Sequence, residues 1–211
     1  MVSHVGNRGA PAEPAAGLQR QISMTLSPQP HRHNATEPSI DHLGDMIASI
    51  PGILGYYPQE SAVVVSLLDD ARGGAILGPV MRADLAHTES LVDVLREVPA
   101  EGLCGHLAVI VSRIPNSDLV RDAVDALYAA TDSDSVPLVD ACWHVSEIAQ
   151  GTPYEMVFGP DPEDMDRQWP ELRWGRGTVA SVVSSPAMRA WHDNGILPAL
   201  DRSDTFEYFQ P

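Results

Sequence analysis

Residues 40–85 read IDHLGDMIASIPGILGYYPQESAVVVSLLDDARGGAILGPVMRADL. Ile40, Leu43, Ile47 and Ile50 share one helical face, Ser39 stands where a cap is wanted and Pro51-Gly52 supplies a stop. A turn-rich joint, GYYPQES at 55–61, leads into the almost unbroken apolar run 62–68. A strand covered on both faces has that composition, so this run is expected to lie in the interior of a sheet. After the turn at 69–74, residues 76–85 form a second strand, and Pro79 assigns it to an edge or a bulge because proline has no N–H for a ladder. On that strand Met81, Ala83 and Leu85 point to one face and Arg82 and Asp84 to the other.

Downstream, Leu91, Val92, Leu95 and Val98 outline a helix capped near Thr88, and 107–112 is a further buried strand. Asn116 to Asp118 opens a helix whose stripe is Leu119, Val120, Ala123, Val124 and Leu127. Segments 136–145, 154–158 and 178–184 read as strands, 159–176 as a long acidic loop. Ser185-Pro186 and Asn194-Gly195 bracket a short helix that holds Trp191 and His192, and a last short helix is expected near 203–209. Helices alternating with strands, after a hairpin start, specify an α/β domain: one mixed β-sheet flanked by helices over 39–211. Residues 1–38 are rich in Pro, Ala, Gly and Gln without periodicity, and are expected to form a disordered tail.

The chain has 211 residues and a formal net charge of −16. Residues 39–211 hold ten Arg against 27 acidic residues, a net of −17 for the expected domain. Such a surface repels phosphate backbones and anionic lipid, which argues against general nucleic-acid binding and membrane docking. All 13 basic residues are Arg. Without lysine, a P-loop, a pyridoxal-phosphate site, a Schiff-base aldolase and a protein kinase are excluded in their usual forms. Cys104 and Cys142 are too few for a secreted disulfide framework, and neither a signal-peptide pattern nor a run of bilayer length is visible. A cytoplasmic location is the expectation.

The stretch from Asp45 to Leu85, with its IPGILGYYP joint, its PQES turn into a Val-rich strand and RADL ending the second strand, is similar to domain-of-unknown-function family 4192, found mainly in high-G+C Gram-positive bacteria. Similarity is looser over 106–145, weak over 178–209 and least over 151–177, which lacks the cysteine-bearing segment of some longer members. The resemblance implies common origin and a coherent fold, and no particular reaction.

Several constellations carry chemistry on paper. Arg82 and Asp84 form either a charged site at a strand end or an ordinary salt bridge. Ser61 follows Pro58 closely, but without GxSxG or a histidine partner it reads as a turn-closing residue. The pairs Cys104/His106 and Cys142/His144 supply zinc-ligand chemistry, yet on parallel strands joined by a helix they would lie about 20 Å apart. Buried thiols and unrelated histidines are the better account. Asp161, Glu163, Asp164 and Asp166 lack the central Gly and late Glu of an EF-hand and read as a solvated loop. His31 and His33 lie in the expected tail.

The site with the best physical motive comes from topology. Ligands of open α/β sheets collect beyond the carboxyl ends of parallel strands, where Arg113 follows one strand and Asn116 and Ser117 open the next helix. Arg113 and free helix N–H groups suit a carboxylate or phosphate, with Asp84 and His87 contributing if their strand lies alongside. Packing of Arg113 over the loop and capping by Ser117 explain the same residues without a ligand. The expectation is a non-catalytic binding or interaction module without cofactor or metal, whose partner is a protein or a small anionic ligand. The alternative is a small-anion-binding protein or enzyme using Arg82, Asp84, Arg113 and Ser117.

Overall fold

The computed structural model describes residues 42–69, 75–161, 163 and 174–203. The expected tail, Ile40 and nearly all of the expected C-terminal helix lie outside them. In chain order the elements are α1 (Leu43–Leu54), β1 (Ser61–Asp69), β2 (Ala75–Asp84), α2 (Thr88–Arg96), β3 (Leu103–Val111), α3 (Asp118–Tyr128), β4 (Ala141–Val145), β5 (Pro153–Phe158), β6 (Arg176–Thr178) and α4 (Arg189–Asp193). Short 3-10 turns at Leu85–His87 and Pro186–Met188 precede α2 and α4. The fold is α/β, and its six strands form one sheet in the order β2-β1-β3-β4-β5-β6.

The Val-rich run occupies the interior position that its composition demands. β1 pairs antiparallel with β2 on one edge and with β3 on the other. Strand alternation sends Val63 and Val65 to one face and Ala62 and Val64 to the opposite face, and all four are at most 1% exposed. Val63 and Val65 join Ile47 and Ile50 of α1, Val109 and the fully buried Trp143. Ala62 and Val64 join Leu91 and Leu95 of α2, Ile110, and Val120 and Leu127 of α3. Burying a Val or Ile side chain stabilises by roughly 1.5–3 kcal/mol, so the two clusters clamp the sheet from both sides. β2 lies at the sheet edge, as Pro79 implied.

β3 and β4 are the parallel pair, joined by α3. Ser117 accepts a hydrogen bond from the Val120 N–H at 3.2 Å and so caps α3, as its sequence position required. The register sets Ala108 beside Cys142 and Ile110 beside His144. Cys104 therefore stands six residues, roughly 20 Å, from the level of His144.

Four elements depart from the pattern reading. β3 begins at Leu103 rather than 107, and Leu119 of the expected α3 stripe is exposed. The Pro51-Gly52 stop is overridden: α1 runs on to Leu54 and ends at Gly55, whose φ of 82° suits a left-handed cap. An interior proline costs about 3 kcal/mol, which packing offsets here. Gly52 lies against Ala187, where a Cβ would meet it at 2.8 Å, and the Gly52 carbonyl accepts the Trp191 indole N–H at 2.8 Å. The fourth strand begins at Ala141 rather than 136, because the Asp140 carboxylate takes the His106 N–H at 2.8 Å and Asp132 folds 132–136 into a turn. The last strand is Arg176–Thr178 rather than 178–184. Beyond it the chain peels away to α1, with Ala180 N–H donating to the Gly44 carbonyl at 3.1 Å, and Val179 and Val182 enter the core as loop residues.

His106 is buried on the α2/α3 face, its Nδ1 3.0 Å from the Ser66 hydroxyl, and burial lowers its pKa below the ordinary 6.5. Burial pushes the neighbouring Asp140 carboxyl upward, against the opposing hydrogen bond from the His106 backbone.

Two outcomes follow. Ile110→Ala should lose about 2–5 kcal/mol in urea unfolding, whereas Val94→Ala, at an exposed site on α2, should change stability by less than about 0.5 kcal/mol. Because the folded state disfavours protonated His106, its contribution is full above pH 6.5 and declines as pH falls below that value through the depressed folded pKa. His106→Asn keeps a partner for Ser66 and should remove that acid-side decline; an unchanged profile of unfolding free energy against pH would refute the assignment.

Candidate functional site

The amino end of β1 and the carboxyl ends of β2, β3 and β4 meet at one end of the sheet, where Ser61 is level with both Asp84 and Val111. The joint that precedes β1 turns sharply there. Glu60 has φ 42°, a left-handed conformation that a residue with a Cβ adopts at a cost of about 1–2 kcal/mol. Its side chain accounts for the geometry. One carboxylate oxygen accepts the Ser112 hydroxyl at 2.7 Å and the other accepts the Arg113 backbone N–H at 3.1 Å, tying the joint to the end of β3. Ser112 in turn accepts the Ile114 N–H at 3.1 Å. Its hydroxyl is thus held by an acid and a backbone donor, while His144 Nε2 faces the Ser112 carbonyl oxygen at 2.9 Å.

A cleft of about 490 Å³ opens beside this bridge. Tyr57, Gln59 and Glu60 come from the joint, Arg113 from the end of β3, and Ser146 to Ala149 from the loop after β4. Further wall comes from Val183 and Met188 with the C-terminal segment Leu197, Pro198 and Leu200. Backbone pairing places that segment. Ala199 donates to the Gly55 carbonyl at 2.9 Å and accepts the Tyr57 N–H at 3.0 Å. Thus two stretches some 140 residues apart form opposite sides of one wall.

Among the residues proposed from sequence, Arg113 lines this cleft, its guanidinium 2.6 Å from a carboxylate oxygen of Glu147. Arg82 and Asp84 pair with each other at 2.5 Å on the edge strand, and Arg82 Nε also donates to the buried Ser61 hydroxyl at 2.9 Å. Because β1 lies between β2 and β3, Asp84 and Arg113 end on strands that are not neighbours. Ser117 caps α3. None of these last three lines the cleft. Ser61 donates to the Gln59 carbonyl at 2.5 Å and closes the turn.

Glu60, Glu147 and Tyr57 were not singled out in the sequence. A glutamate in the tight PQES turn was a signal for the first; nothing local marks the other two. Burial, followed by the charge of Asp69, raises the Cys104 thiol pKa, and burial raises that of Cys142, so neither is activated as a thiolate. Among the described residues no group of three or more His, Cys, Asp or Glu could hold a metal ion, and no helix is long and apolar enough to cross a membrane. Asp161 accepts the Glu163 N–H at 2.9 Å, whereas Asp164 and Asp166 lie outside the described residues.

The model of the family described as Domain of unknown function (DUF4192) matches residues 44–211, which span α1 through the C-terminal segment. The chain belongs to this family. No curated protein and no solved structure matches it. The family match takes in both sides of the cleft, the joint and the segment that pairs with it.

The bridge can be tested by its opposing terms. Glu60→Ala loses two hydrogen bonds and keeps the left-handed cost, whereas Glu60→Gly loses the same bonds and relieves that cost. Both should be less stable than wild type, with Glu60→Gly more stable than Glu60→Ala by about 1 kcal/mol in urea unfolding. The reverse order would show that Glu60 does not hold this conformation.

Proposed function

We propose that this protein is a cytoplasmic, non-catalytic bacterial binding module that holds a small molecule in the cleft at the end of its sheet. The observation that carries the reading is a concavity of about 490 Å³ in which Val183, Leu197 and Leu200 stay 59%, 67% and 74% exposed around a charged rim. Single exposed apolar residues need no explanation, but three lining one concavity of ligand size leave apolar surface in water that a ligand would cover. The position, beyond the carboxyl ends of the parallel pair β3 and β4, is where open α/β sheets collect ligands. A largely apolar lining with a few polar and charged side chains is the make-up of a small-molecule site. Both cysteines are free, in keeping with a reducing compartment.

Ala149 lines the cleft and is exposed, so a tryptophan there fills the mouth without entering the core. A fragment screen by amide chemical shifts should give compounds that move Ser146, Glu147 and Ala149, and Ala149→Trp should weaken them about tenfold or more. A screen in which no compound moves these signals would remove the reading.

A further inference from the structure

Resting on the cleft reading above, we infer that the ligand is a small organic cation, an ammonium or guanidinium group on an apolar body, and that Glu147 receives its charge. Among the described residues, three formal charges line the cleft: the carboxylates of Glu60 and Glu147 and the guanidinium of Arg113. Their sum is −1, within a chain of net charge −16, so the local and the long-range fields both favour a cation. Glu60 cannot turn away, because the Ser112 hydroxyl and the Arg113 N–H hold both its oxygens. Those partners are neutral donors, so among the described residues its negative charge stays in the wall without an ion pair.

Arg113 offers an anion little. Its guanidinium already faces Glu147 at 2.6 Å, and an incoming carboxylate or phosphate would have to displace that acid and share a cleft lined by two carboxylates. For a cation the exchange is easy. The Arg113 and Glu147 side chains are 73% and 51% exposed, and such a pair contributes little in water, so Arg113 can swing to solvent while Glu147 accepts the ligand. Tyr57 supplies an aromatic ring in the same lining, whose face attracts cations, and the Leu197 to Leu200 wall covers an apolar body.

The test uses the whole chain and three matched series with the same aryl or alkyl bodies: ammonium ions, alcohols and carboxylates. Ammonium ions should shift the Ser146, Glu147 and Ala149 amides and bind at least about tenfold more tightly than either other series, less so at high salt. Glu147→Gln should abolish that preference. Arg113→Ala should tighten the ammonium affinity, since it removes a competitor for Glu147. Carboxylates binding in the cleft as tightly as ammonium ions, or Arg113→Ala abolishing ammonium binding, would overturn the charge assignment while leaving the cleft as a binding site. If no series moves the cleft amides, the charge assignment and the binding reading both fall.

Discussion

β1 is flanked by strands on both edges and covered by helices on both faces, and from that burial the rest of the structure takes its position. A strand so placed has no polar face, which is why Ala62 to Val65 can be apolar without interruption, and why their two faces feed two separate clusters. One cluster fixes α1 and the C-terminal 3-10 turn to the sheet; the other fixes α2 and α3. The cleft depends on the same constraint, because the turn that delivers the chain into β1 is the turn that carries Glu60.

The Glu60 bridge joins fold and site. A residue with a Cβ at φ 42° is stable only when its surroundings fix it, and here two hydrogen bonds to the end of β3 do so. The result is a carboxylate whose position does not depend on side-chain freedom. Next to it, the exposed Arg113 and Glu147 side chains pair with each other at the surface of the same cleft. On the proposed reading, a held acid beside an exchangeable ion pair would select a ligand by charge with little reorganisation.

How far the residues alone reach depends on the range of the interaction. The central strand, the edge proline, the Ser117 cap and the α/β class are local patterns and were legible. The ends of α1, β3, β4 and β6 were not. Pro51-Gly52 is a genuine stop signal, but Trp191 and Ala187 pack against that turn from about 140 residues away and hold it helical. Asp140 looks like an ordinary strand or loop residue until its carboxylate is seen to take the His106 N–H in place of a ladder bond.

By itself the sequence determined the layers, the mixed sheet, the acidic charge, the absence of lysine chemistry and the placing of Arg113 at a strand end. Those properties follow from composition and from periods of two and 3.6 residues, which neighbours in the chain express directly. Only the tertiary structure decided that Arg113 faces Glu147, that Arg82 and Asp84 lie on a separate edge, and that Ala199 pairs with the joint to wall a cleft. The first and last of these are contacts between segments 34 to about 140 residues apart. Their existence depends on strand order, which no local pattern specifies.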